Sequence, residues 1–127
     1  MIGSNRRLRA FAYPEPADLR RGFDGLSALV TSGLGRDPLS GECFLFTNRT
    51  RTRAKVLVYD GTGLCVYHKR LEVGRFACLW REPAVGALEL SQSELALYLE
   101  GSRLVGRVTL SPAVIFRTRL DDRLSSV

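Results

Sequence analysis

The spacing of apolar and polar positions divides this chain into short elements. Leu8–Tyr13 is a strand-like run, closed by Pro14 and Pro16. Asp18 then occupies the place of a helix N-cap, and Leu19, Phe23, Leu26, Leu29, Val30 and Leu34 recur at helical spacing. Arg20, Arg21, Asp24 and Ser27 fall mainly on the other side. Gly22 and Gly25 weaken this helix intrinsically, so it is expected to depend on packing, and Gly33 and Gly35 suit its C-terminal end. Pro38, Ser40 and Gly41 make a turn.

The next stretch, Arg36–Phe76, reads as a three-stranded antiparallel meander. Glu42–Thr47 is the first strand, with Phe44 and Phe46 on one face and Cys43 and Leu45 on the other. Two apolar faces predict a strand covered on both sides. Arg53–Tyr59 and Leu64–Leu71 follow, joined by the turn Asp60-Gly61-Thr62-Gly63. A four-residue loop sets Tyr59 opposite Leu64, Leu57 opposite Val66, Lys55 opposite His68 and Arg53 opposite Arg70. One face is then apolar near the turn and basic at the far end. The other face, with Ala54, Val56, Val58, Cys65 and Tyr67, is expected to be core. Like charges directly opposite destabilise a sheet. Arg53 beside Arg70 therefore calls for an anion between them, or an acid such as Glu72.

Gly86–Leu90 is a further short strand. Ser91-Gln92-Ser93-Glu94 matches a capping box for a helix through Leu95, Tyr98 and Leu99, with Gly101 at its end. Val108–Leu110 and Ala113–Phe116 have strand character but are interrupted by Ser111-Pro112, and the last residues are expected to fray. The order β-α-β-β-β-β-α predicts a small single α+β domain over residues 1–110. It has a predominantly antiparallel sheet and two helices, and residues 111–127 form a C-terminal tail.

Composition narrows the setting. At 127 residues, with 45% hydrophobic and 25% charged residues, the chain suits one soluble domain. No apolar stretch approaches the roughly 18 residues that span a bilayer. The basic N-terminus has no apolar run after it, so a secretory signal and a membrane partner are not expected and the cytoplasm is the default compartment. Cys43, Cys65 and Cys78 are odd in number and form no CxxC pair, and Cys43 and Cys65 lie in apolar strand patterns. They read as buried reduced thiols, without a disulfide or a metal site.

Charge is the distinctive feature. Of the net +6, most lies in Thr47–Phe76, where seven basic residues oppose two acidic ones. Arg49, Arg51, Arg53, Lys55, His68, Lys69, Arg70 and Arg75 are the candidate nucleic-acid-binding residues. A basic face of this kind suits a polyanion, and arginine's planar donor fork suits phosphate. No helix-turn-helix, zinc-finger or RNP pattern is present, so the expected contact is to the DNA backbone with weak specificity.

Catalysis finds little support. A two-metal nuclease needs converging carboxylates. Of the candidates, Asp37 and Asp60 sit in turns that favour aspartate for local reasons, while Asp24 and Glu72 are suited to pairing with arginine. His68 is the single possible base for a Ser or Cys nucleophile, and it sits in a strand pattern. No phosphate-cradling glycine motif or cofactor fingerprint is present, so no cofactor is expected.

Five blocks in fixed order carry a family resemblance: Asp18-Leu19-Arg20-Arg21-Gly22-Phe23-Asp24-Gly25-Leu26; Asp37-Pro38-Leu39-Ser40-Gly41; Asn48-Arg49-Thr50-Arg51-Thr52-Arg53-Ala54-Lys55; Tyr59-Asp60-Gly61-Thr62-Gly63; and Lys69-Arg70-Leu71-Glu72-Val73-Gly74-Arg75-Phe76. Over roughly Arg6–Gly101 the chain resembles the small accessory protein, often called TnpB, encoded beside the transposase in insertion-sequence-sixty-six-type mobile elements. The resemblance implies a bacterial accessory factor that assists transposition alongside a larger transposase. Thr50 and Thr52 depart from the family pattern, standing where relatives often carry a basic and an acidic residue. The expected function is therefore a non-catalytic accessory factor that contacts DNA phosphates through a basic β-meander. The alternative is an adaptor that docks on the transposase or another element-encoded protein without binding DNA, for which Phe76 and Trp80, close to Arg75 and Arg81, are the aromatic candidates, although core is the favoured reading of both.

Overall fold

The computed structural model describes residues 8–80 and 86–101. The strands are β1 (Ala10–Ala12), β2 (Cys43–Thr47), β3 (Arg53–Tyr59), β4 (Leu64–Arg70) and β5 (Leu88–Leu90), and they form one sheet in the order β4-β3-β2-β1-β5. Only β1 and β2 run parallel; the other three pairings are antiparallel. The result is the expected small α+β domain with its three-stranded meander. The expected strands at Val108–Leu110 and Ala113–Phe116, and the tail, lie outside the described residues.

The connection from β1 to its parallel neighbour β2 crosses one face of the sheet. It carries helix α1 (Phe23–Ala28), which widens into a π-helical turn over Leu29–Leu34 and ends at Gly35, whose φ of +64° is costly for any residue with a Cβ. Leu26 and Val30 from this segment pack with Phe11, Phe44, Phe46 and Leu57. The other face is covered by helix α2 (Gln92–Leu99) and the segment after β4. Phe76 and Tyr98 stack with ring centroids 5.1 Å apart, both fully buried. Beneath them lie Ala10, Ala12, Ala54, Cys43, Leu45 and Val56, and the three alanines leave room for the two rings. Burying a ring of this size contributes roughly 1.5–3 kcal/mol. Every residue of β2 is buried, as its two apolar faces require.

The register of the last hairpin is the expected one: Arg53 pairs with Arg70, Lys55 with His68, Leu57 with Val66 and Tyr59 with Leu64. The capping box also forms, with Ser91 Oγ accepting from Glu94 N and the Glu94 carboxylate accepting from Ser91 N.

Three expectations are corrected. Asp18 does not cap α1. Its carboxylate accepts from the Arg20 backbone N–H and guanidinium, closing a turn over residues 18–21, and the helix starts only after Gly22. Phe23, placed on the buried stripe by spacing, is 50% exposed. Cys65 and Tyr67 are exposed as well, and so is Cys78 in the segment after β4. β4 is an edge strand, and the described covering elements of that face pack over the strands further in, so a residue pattern that reads as core stays open to solvent.

Candidate nucleic-acid interface

The site is built on the turn between β2 and β3. Asn48 organises it: its Oδ1 accepts from the N–H groups of Thr52 and Arg53, both at 3.0 Å, and its carbonyl accepts from Arg51 N at 2.9 Å. Arg51 adopts φ +61°, the one left-handed non-glycine residue among those described. Its Nη1 donates to the Phe76 carbonyl at 2.8 Å while its own carbonyl accepts from Phe76 N at 2.7 Å. The turn is thereby tied to the buried Phe76. Arg49 and Thr50, at its tip, are exposed.

Beside this turn lies an open cleft of about 810 Å³. One wall is the 16–20 segment, held to β2 by the bond from Ala17 N to the Thr47 carbonyl at 3.0 Å. The other is Asn48, Arg49 and Thr50, and the sheet supplies Arg53 and His68. Among the described residues, neither Arg49 nor Arg53 has a carboxylate within ion-pair distance. Partial desolvation, then the nearby charges of Lys55 and Arg53, hold the His68 pKa below its ordinary value. An anion entering the cleft would relieve both repulsions.

The eight candidate residues thus separate by position. Arg49, Arg53 and His68 come together in the cleft. Arg70, opposite Arg53, is paired with Glu72 at 3.0 Å, which supplies the acid expected near the two arginines. Lys55 donates from Nζ to the Arg21 carbonyl at 3.1 Å, and Arg51 is held by Phe76, so both are engaged in holding the fold. Lys69 pairs with Ala54 and faces the opposite side of the sheet. Arg75 is exposed in the turn after β4. The cleft adds two residues that charge counting missed, Asn48 and Arg20. The signal for Asn48 was its fitness for an Asx-type turn. Arg20 was hidden by the expectation that residue 20 lay on a helix, and its guanidinium is paired with Asp18 at 3.0 Å.

The far end of the sheet is electrostatically closed. Arg36 pairs with Glu42 at 3.0 Å and lies 4.0 Å over the Phe11 ring, and Arg9 pairs with Glu89 at 3.1 Å. The uncompensated charge of the described sheet therefore collects at the Arg53 end. Of the carboxylates considered for catalysis, Asp60 is bound into its turn: Oδ1 accepts from Thr62 N, Gly63 N and Thr62 Oγ1, which lowers its pKa to about 2. Among the described residues no group of three His, Cys, Asp or Glu side chains is placed to hold a metal ion, and no helix is long and apolar enough to cross a membrane.

Fold and cleft together define a small α+β domain that presents a cationic recess at one end of its sheet. The chain belongs to the family of IS66 Orf2-like proteins, whose model matches residues 8–107. Two proteins of Sinorhizobium fredii (strain NBRC 101917 / NGR234) are similar along most of their length. The uncharacterized protein y4jC is 39% identical over 101 residues, covering 80% of this chain and 85% of that one. The uncharacterized protein y4hO is 35% identical over 101 residues, covering 80% and 86%. No solved structure matches. Family membership makes this a transposition-associated accessory protein of an insertion sequence.

Proposed function

We propose that the protein acts in transposition as a non-catalytic factor that holds DNA by its phosphates in the cleft between the 16–20 segment and the β2–β3 turn. The observation that carries this reading is the convergence of Arg49, Arg53 and His68 on one recess in which the described residues leave both guanidinium groups without a carboxylate partner. Guanidinium groups in that state are suited to bidentate phosphate contact. Arg70 lies beside them and exchanges Glu72 for phosphate at little cost, because exposed ion pairs are worth only about 0–1 kcal/mol. The reading includes a cytoplasmic location, where element DNA and its transposase meet.

The second reading, an adaptor docking on the transposase, draws support from Val73, which is 87% exposed in the turn between β4 and Phe76. The test is fluorescence anisotropy of the purified protein with element-end and unrelated DNA, run beside co-purification with the transposase from nuclease-treated extract. Phosphate binding predicts similar affinity for both DNAs and loss of the transposase complex on nuclease treatment. A complex that survives nuclease, with no DNA binding, contradicts the proposal and favours the adaptor.

A further inference from the structure

Phe23 breaks the local rule. Its spacing from Leu26 and Val30 assigns it to the buried side of α1, yet half its surface is open to solvent. Burial of Leu26 and Val30 is complete, so the packing of this helix is satisfied without the ring. Positions where local consistency fails are where function is to be sought. Phe23 is also close to the cleft along the chain. It follows Arg20, a wall residue, by three positions, so the two Cα atoms are at most about 11 Å apart. The chain between them is fixed to the basic strand pair, since Lys55 Nζ donates to the Arg21 carbonyl and Lys55 is the cross-strand partner of the cleft residue His68. An exposed aromatic residue thus follows, within three positions, the wall of a recess lined by arginine.

That pairing of a cationic groove with an exposed ring is the chemistry of single-stranded nucleic-acid binding. The groove follows the backbone while bases stack on the aromatic face, whatever their sequence. A duplex offers its base faces to its own neighbours and has none free for Phe23 away from its ends. We infer that the cleft takes unpaired DNA in preference to duplex, with a base laid against Phe23 while Arg49 and Arg53 hold the adjoining phosphates. This inference rests on the phosphate-binding reading of the same cleft and adds the strandedness of the DNA to it.

The test uses the full chain and a labelled DNA strand of about 20 nucleotides, alone and annealed to its complement, at one fixed salt concentration. Single strand is expected to bind at least several-fold more tightly than duplex. Phe23→Leu keeps an apolar side chain but removes the stacking face; it should weaken single-strand binding about 5–150-fold, the range that corresponds to one base–aromatic stack, and leave duplex binding unchanged. Phe23→Trp should restore the preference, and this rescue separates stacking from damage to the fold. Equal affinity for the two probes, or a Phe23→Leu variant that binds like the parent or loses both probes equally, overturns the inference. In those cases binding that still depends on Arg49 and Arg53 leaves the phosphate cleft standing. Binding to neither probe overturns both readings.

Discussion

Arg51 was a phosphate candidate by charge and is a fold-holding residue by geometry, and the two roles separate under substitution. In Arg51→Ala the hydrogen bond from Nη1 to the Phe76 carbonyl is lost, while the left-handed backbone at residue 51 remains. A hydrogen bond with a charged donor contributes about 1.5–3 kcal/mol, and the only partly buried position of Arg51 reduces that to about 1–2 kcal/mol. In Arg51→Gly the same bond is lost, but the steric cost of φ +61°, about 1–2 kcal/mol, is relieved. Glycine's extra backbone entropy returns about 0.5–1 kcal/mol of that. Arg51→Gly should therefore be more stable than Arg51→Ala by about 0.5–1 kcal/mol, and both less stable than the parent. Urea titration measures the differences directly. In thermal melts a loss of 1 kcal/mol corresponds to a fall on the order of 4–8 °C for a domain of this size. DNA affinity should keep the parent's salt dependence in both variants. A stable Arg51→Ala protein whose log–log salt slope falls by about one unit would refute the argument and return Arg51 to the phosphate-binding set.

Other outcomes follow from the same structure. Tyr98→Phe leaves the buried Thr47 hydroxyl without its partner and should cost about 1–2 kcal/mol in urea unfolding. Burial raises the Tyr98 pKa above its ordinary 10.0, so the parent holds this stability below pH 10 and loses it as pH rises towards the folded-state pKa, a loss that Tyr98→Phe should abolish in alkaline denaturation. Asp60 is the opposite case. Its pKa falls from 3.8 to about 2, so its contribution is present above pH 3.8 and is lost as pH drops through about 2; Asp60→Asn should flatten that part of an acid titration of stability. His68 has a depressed pKa in the free protein, and phosphate bound as proposed would raise it, so DNA binding would take up a proton and affinity should rise as pH falls from 7 through the ordinary value of 6.5. His68→Gln should remove that rise in anisotropy measurements at constant ionic strength.

Legibility in the sequence followed the range of the interactions. The β3–β4 register was readable because the Asp60–Gly63 turn fixes the loop length and a one-residue slip would have carried Leu57 and Val66 off the core face. The capping box was readable because Ser91 and Glu94 satisfy each other three residues apart. The parallel pairing of β1 with β2 was not, since it joins Ala10–Ala12 to Cys43–Leu45 across a helix and nothing in three apolar residues states a direction. The exposure of Cys65 and Tyr67 depends on β4 lying at the sheet edge, which is likewise a long-range fact. At the candidate site, clustered charge pointed to the end of the sheet where the cleft lies, and the cross-strand pairs are the expected ones. It could not tell Arg53, open to the cleft, from Lys55 and Arg51, whose donors are taken by backbone carbonyls of residues 21 and 76. The Asp18 turn misled for a physical reason: the side chain that serves as an N-cap serves an Asx-type turn equally well.

The central claim is that Arg49 and Arg53 carry the electrostatic contact with DNA. Both are exposed and free of carboxylate partners among the described residues, so their joint replacement by alanine should leave thermal stability unchanged. The decisive measurement is the dependence of DNA affinity on salt for the parent and for the Arg49→Ala/Arg53→Ala double variant. The account predicts a log–log slope shallower by about 1.4–1.8 units in the variant, the value for two lost phosphate contacts. An unchanged slope, in a variant that is folded and binds DNA as the parent does, would contradict it.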